Sequence, residues 1–142
     1  MELLSVDMGS KSFAGAKIIL YGKCVPNQFK QFLKKLSKGR FALSACLQEH
    51  HMDNLGFKLA TLLTYQPVKE ITVLSIDGSP HCAQLHALAE QAKRITGSDV
   101  AIKHYVIEEG RLVEFSSEVV KIARHLSHIK ALQDRVLKKR GQ

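Results

Sequence analysis

Hydrophobic and polar positions follow two different periods along this chain. Four short apolar runs, rich in β-branched residues, have the length and composition of buried strands: AKIILYG (16–22), FALSA (41–45), EITVLSI (70–76) and VAIKHYVI (100–107). Segments with apolar residues at helical spacing lie between and after these runs. Because a crossover helix makes the two strands that it joins parallel, the alternation predicts a mainly parallel sheet.

Apolar stripes at helical spacing predict four helices. The first three lie in PNQFKQFLKKLSKG (26–39), MDNLGFKLATLLTY (52–65) and SPHCAQLHALAEQAKRITG (79–97), and a long final helix runs from residue 117 to about residue 140. Their stripes are formed in turn by Phe29, Phe32, Leu33 and Leu36; by Met52, Leu55, Leu59 and Leu62; by Cys82, Leu85, Leu88, Ala92 and Ile95; and by Val119, Ile122, Leu126, Ile129, Leu132 and Val136.

Two further strands are expected at the edges of the sheet. IEEGRLVEF (107–115) indicates a hairpin turn at Glu109–Gly110 and then a strand at 111–115, antiparallel to its neighbour. ELLSV (2–6) indicates another edge strand. The expected fold class is α/β: a single three-layer domain over residues 1–142 with a mainly parallel sheet, flavodoxin-like or Rossmann-like, an antiparallel edge strand and a basic tail at 135–142.

Composition and charge restrict the partners. The 142 residues are 45% hydrophobic and 24% charged, as in an ordinary globular domain. Much of the net charge of +8 lies in residues 30–40 and 135–142, which is consistent with an acidic partner or nucleic acid but equally with lysines on a solvated helix face. The aromatic and basic pattern of RNA-binding modules is lacking, so nucleic acid is not expected. No run suits a signal peptide or a spanning helix, so we expect a cytoplasmic protein without a membrane partner.

Three cysteines each follow one of the first three predicted strands. The carboxyl ends of parallel strands share one edge of a sheet, and the strand order 2-1-3 would bring the three loops together. Thiolate and imidazole are ligands of zinc, iron and iron–sulfur clusters. The chain has no C-x-x-C pair, so buried, inert thiols are the alternative. The candidate metal ligands are Cys24, Cys46, Cys82, His50, His51 and His81.

The turn DGSPHC opens the third long helix. Ser79 is a good N-cap, which places Cys82 in the first helical turn, where the positive helix end is expected to lower the pKa of a thiol. Such a thiol suits a nucleophile, a sulfur carrier or a metal ligand. The backbone amides of Gly78 and Ser79 are candidate anion-binding groups. His86 and Asp77 are candidates to hydrogen-bond the ligands and so orient them.

The segments GKCVPN, HHMDNLGFKLA and IDGSPHCAQLH resemble a small family of uncharacterised α/β proteins of anaerobic microbes that is loosely labelled ferredoxin-like or iron–sulfur. The resemblance spans Lys17 to Leu126 and implies that Cys24, Cys46 and Cys82 hold a cluster in anaerobic redox metabolism. Unlike four-cysteine ferredoxins, this chain has three cysteines without close spacing. In a cubane cluster of four irons, the three cysteines would bind three, and the fourth iron would need one of the three candidate histidines or an outside ligand.

Three functions are consistent with these residues. The first is a metal- or iron–sulfur-cluster-binding protein in redox or cofactor delivery, whose partner would be a redox or acceptor protein. The second is a thiol or sulfur-transfer enzyme with Cys82 as the nucleophile. The third is a non-catalytic basic module that binds an acidic partner, a nucleotide or RNA.

Overall fold

A five-stranded sheet forms the centre of the structure, a computed structural model that describes residues 1–141. The order is β2-β1-β3-β4-β5, where the strands are β1 (Lys17–Gly22), β2 (Phe41–Ala45), β3 (Glu70–Ile76), β4 (Ala101–Glu108) and β5 (Arg111–Phe115). The first four strands are parallel, and β5 is antiparallel to β4. Glu109 and Gly110 have φ values of 49° and 76°, as the two-residue hairpin turn requires. The predicted α/β class and its antiparallel edge strand are confirmed.

Helices cover both faces of the sheet. They are α1 (Val25–Gln28), α2 (Lys30–Leu36), α3 (Met52–Tyr65), α4 (Pro80–Thr96), α5 (Ser117–Ala123) and α6 (Leu126–Lys139). One buried cluster joins α3 and α4 to one face of the sheet, and a second joins α1 and α2 to the other face. The three predicted layers are therefore present. Among residues 1–141, no helix is both long and apolar enough to cross a membrane.

The amino-terminal segment differs from its prediction. ELLSV is not a strand: Leu3–Ser5 is a 3-10 helix, and only Glu2 makes an isolated bridge, to Ser44. Leu3 and Val6 both enter the core beside α3, because a spacing of three residues puts side chains on one side of a helical turn. A second 3-10 helix, Lys11–Phe13, precedes β1.

The first and last predicted helices are each interrupted. Phe29, with φ of −133°, separates α1 from α2, and its ring packs on that of Phe32 at 6.1 Å. The predicted final helix is divided into α5 and α6. The residues of its apolar stripe that lie in α6 are not buried. The predicted single helix is therefore two helices, of which α5 contacts β4 and α6 has no buried residue. Ile95, at the end of the α4 stripe, is also exposed. Residues 135–139 of the predicted basic tail belong to α6, and residue 142 lies outside the described residues.

Candidate active site at the carboxyl edge of the sheet

The three cysteines line one pocket, which we call the three-thiol pocket. Cys24 follows β1, Cys46 directly follows β2, and Cys82 is the third residue of α4, just after β3. The pocket has a volume of about 210 Å³ and is also lined by Ser75 and His81. The strand order 2-1-3 is the physical cause, since it places the carboxyl ends of β2, β1 and β3 side by side.

The other two candidate histidines lie elsewhere. His50 lines a separate small pocket with Lys23 and Glu49, and His51 is the exposed N-cap residue of α3. Within residues 1–141, no group of three or more histidine, cysteine, aspartate or glutamate side chains is positioned to hold a metal ion. The three thiols therefore line the same pocket, but within residues 1–141 they are not arranged as a preformed set of metal ligands.

The turn between β3 and α4 has the predicted cap. The Ser79 hydroxyl accepts a hydrogen bond from the backbone N–H of His81 at 3.1 Å. Gly78 has a φ of 103°, which favours glycine at this position. Within the described part of the chain, the N–H groups of Gly78 and Ser79 donate no hydrogen bond, so they remain available to an anion. Asp77 is exposed beside them.

Cys82 does not ionise as readily as its position in the helix predicts. Its side chain is buried, and burial raises the pKa of the thiol. The hydrogen bond with the Ser75 hydroxyl lowers the pKa of the thiol, while charge interactions with Asp77 and Cys24 raise it further. The prediction of a low pKa is wrong, because the loss of water on burial is the largest effect on this thiol and raises its pKa. A thiol of this kind needs a base within reach in order to react.

A chain of hydrogen bonds leads from Cys82 into the protein interior. Cys82 Sγ lies 2.7 Å from Ser75 Oγ, which lies 2.7 Å from His86 Nε2. His86 Nδ1 lies 2.8 Å from His104 Nδ1. His104 Nε2 lies 3.3 Å from Glu90 Oε2. We call these five residues the relay, since each side chain contacts the next.

The carboxylate at the end of the relay decides the direction of every hydrogen bond. Because the negatively charged Glu90 only accepts, His104 donates from Nε2, and a neutral His104 then accepts at Nδ1. His86 therefore donates from Nδ1, which leaves its Nε2 to accept from the Ser75 hydroxyl. Ser75 in turn accepts from the Cys82 thiol. In the tautomers assigned in this way, Cys82 is connected through the Ser75 hydroxyl to the unprotonated nitrogen of His86, Nε2.

Burial keeps both imidazoles of the relay neutral. His86 is 2% exposed and His104 is fully buried. Burial, with a smaller effect of His104, lowers the pKa of His86 to about 3. Burial also lowers the pKa of His104, against the opposite effect of Glu90. The Phe115 ring packs on both imidazoles, at centroid distances of 4.9 Å and 5.3 Å. A neutral imidazole is the form that can accept a proton, and in His86 the unprotonated nitrogen is Nε2, which faces the Ser75 hydroxyl.

The sequence pattern indicated Cys82 and His86 but missed Ser75, Glu90 and His104. His86 was expected to hydrogen-bond a metal-bound thiolate, whereas it reaches Cys82 only through Ser75. Ser75 and His104 lie inside strands β3 and β4, where no spacing relates them to α4. The one local signal is the pair His86 and Glu90, which are four residues apart on α4.

A second, larger cavity also reaches Cys82. It has a volume of about 710 Å³ and lies between α4, the β4–β5 hairpin and α5, and we call it the α4–α5 groove. Cys82 and Ser79 line both this groove and the three-thiol pocket. His86 of the relay and Phe115, whose ring packs on His86, line the groove as well. Cys82 thus lines two cavities, a small one with two further thiols and a larger one with a mostly apolar lining.

Fold and site together define an α/β protein with a thiol site at the carboxyl ends of its parallel strands. The chain matches a family of Rossmann-like domains over residues 11–140, and it belongs to this family. The family description concerns the fold, and it supports neither an iron–sulfur cluster nor an anaerobic setting. No curated protein and no solved structure matches the chain.

Proposed function

We propose that the protein is a thiol-dependent group-transfer enzyme in which Cys82 is the nucleophile. The observation that carries this function is the unbroken relay from Cys82 Sγ to the Glu90 carboxylate. A nucleophile, a base that takes up its proton and a third group that orients the base are the parts that nucleophilic enzymes share. Here the base is His86, which acts through Ser75, and His104 with Glu90 orients it.

The proton moves along the relay when Cys82 attacks. The thiol proton passes to Ser75 while the Ser75 proton passes to His86 Nε2. His86 can pass its Nδ1 proton on to His104, which lies beside the Glu90 carboxylate, so that the positive charge ends next to a negative one. Because burial holds the pKa of both imidazoles down, the protonated imidazole is a high-energy form, so the thiol loses its proton only as the sulfur attacks. The proton then passes to the leaving group or, where the leaving group departs as a stable anion, to solvent.

The test is acylation with p-nitrophenyl acetate. The Cys82 sulfur forms a bond to the acetyl carbon, p-nitrophenolate leaves, and the thiol proton enters the relay. We expect a stoichiometric burst of p-nitrophenolate and an acetyl group on Cys82, located by mass spectrometry of peptides. Cys82→Ser should abolish the burst, whereas Cys24→Ser, which removes the exposed thiol, should retain it. Acetyl groups on Cys24 alone would contradict the proposal.

A metal or iron–sulfur centre in redox or cofactor delivery is the second candidate function. It is favoured by the three thiols that line one small pocket with His81. Zinc, iron or a cluster would displace the thiol protons on binding, so the raised pKa of Cys82 does not prevent coordination. Cys24, Cys46 and Cys82 would be the ligands, with His81 or an outside group at a fourth position, and the partner would be a redox or acceptor protein.

Anaerobic purification with metal analysis distinguishes this candidate from the first. We expect stoichiometric iron or zinc, and visible absorption if a cluster is bound. Each of Cys24→Ser, Cys46→Ser and Cys82→Ser should lower the metal content about tenfold or more, since each removes a ligand. His51→Gln, outside the pocket, is the control and should leave the content unchanged. A protein that takes up neither zinc nor iron with sulfide would contradict this candidate.

A further inference from the structure

We propose that the α4–α5 groove binds the apolar acyl chain of an ester or thioester whose carbonyl carbon Cys82 attacks. This inference rests on the proposed function, because it requires Cys82 as the nucleophile, and it adds the class of substrate. The groove and the thiol meet at the start of α4, where Cys82 and Ser79 line the groove. A chain seated in the groove therefore has its head group beside the sulfur.

The walls of the groove suit an aliphatic chain. Small side chains leave its volume open, and valines and one aromatic ring supply the surface. Val113 and Val119 both line the groove and are 40% and 48% exposed, so their side chains are open to contact with a bound chain. A mostly apolar cavity with a few polar groups at one place is the common form of a ligand site. The apolar lining consists of Ala83, Ala87, Val106, Val113, Phe115, Val119, Val120 and Ala123.

The groups beside the thiol favour an acyl substrate over a sulfur donor. Attack on a carbonyl creates an oxyanion, which backbone N–H groups stabilise. Gly78 and Ser79 line the groove, and within residues 1–141 their N–H groups donate no hydrogen bond. The nucleophile, the base His86 and two free amides are thus all at one cavity.

The charges at the groove favour an uncharged chain. Asp77, Glu108 and Arg124 line the groove, and in the described part of the chain Arg124 forms no ion pair. Because both signs are present, neither an anionic nor a cationic chain is attracted along its whole length. The binding energy must therefore come from contact with the apolar wall, and this energy increases with the length of the acyl chain.

The acylation step is balanced without an oxidant or a reductant. A bond forms between Cys82 Sγ and the carbonyl carbon, and the bond from that carbon to the ester oxygen or thioester sulfur breaks. The thiol proton enters the relay through Ser75 and returns from it to the departing alkoxide or thiolate. The products are an acyl group on Cys82 and a free alcohol or thiol.

The test measures the acylation rate of Cys82 by p-nitrophenyl acetate, butyrate and hexanoate in a protein that carries Cys24→Ser and Cys46→Ser. Rates relative to those of glutathione should rise with chain length, by up to about fourfold per methylene. Ala123→Trp, at an exposed position in the groove, should remove this rise. Ala60→Trp is the matched control, because Ala60 lines a different groove between α3 and α4.

The outcomes distinguish failure of the acyl groove from failure of Cys82 as the nucleophile. A normal acetate rate without a rise for longer chains would overturn the acyl groove and leave Cys82 as a nucleophile. Failure of acetate to label Cys82 would overturn the proposed function and the acyl groove with it. Loss of the rise in Ala60→Trp rather than in Ala123→Trp would place the chain between α3 and α4 and contradict the groove described here.

Discussion

His86→Gln is expected to slow the acylation of Cys82 by p-nitrophenyl acetate about 100- to 10,000-fold at neutral pH. Glutamine is close to histidine in size and can still hydrogen-bond Ser75, but it cannot take up a proton. Without that base the thiol must ionise unaided, and burial raises its pKa. Ser75→Ala should have a similar effect, because the Ser75 hydroxyl is the one link between the thiol and the imidazole.

The pH dependence separates a proton relay from a merely structural network. In His86→Gln the rate should rise with pH and approach that of the unmodified protein in alkali, where hydroxide removes the thiol proton. His128→Gln, an exposed histidine of α6, is the control and should follow the unmodified protein at every pH. Rates for His86→Gln that stay a constant factor lower at all pH values would show that His86 only supports the structure.

Acidification from pH 7 to pH 5 is expected to lower the free energy of unfolding by about 2 kcal/mol from His86 alone, with a further loss from His104. In the unfolded chain a histidine binds a proton below about pH 6.5, whereas the folded His86 stays neutral because burial lowers its pKa to about 3. Between these values the unfolded state binds more protons, so stability falls as the pH falls. The burial that lowers the pKa of His104 acts in the same direction.

Urea unfolding at several pH values between 7 and 5 measures this slope. The range stays above the titration of Glu70, whose pKa is lowered by Arg40 and Lys103 against the opposite effect of burial. Between pH 7 and pH 5, His86→Gln should lose the contribution of about 2 kcal/mol, which is about 1 kcal/mol per pH unit on average, and His128→Gln should retain it. A free energy of unfolding that does not change from pH 7 to pH 5 would contradict the two neutral, buried imidazoles.

Much of the scaffold could be predicted because its elements are specified by local patterns. The β-branched runs from Lys17 and Glu70, and the capped stripe that begins at Ser79, required only neighbouring residues for their interpretation. Leu3–Ser5 was wrongly predicted to be a strand, and the final helix was predicted without its break between α5 and α6. An apolar pattern shows that a segment can be buried, but the available sheet surface decides whether it is.

The sequence by itself determined the alternation of strands and helices, and with it the placement of Cys24, Cys46 and Cys82 after three parallel strands. Tertiary structure alone decided which side chains meet at Cys82, because the contact of His86 with His104 depends on how α4 packs on β4. It also decided that the pKa of Cys82 is raised, since burial, the largest effect on this thiol, is a property of the packed chain.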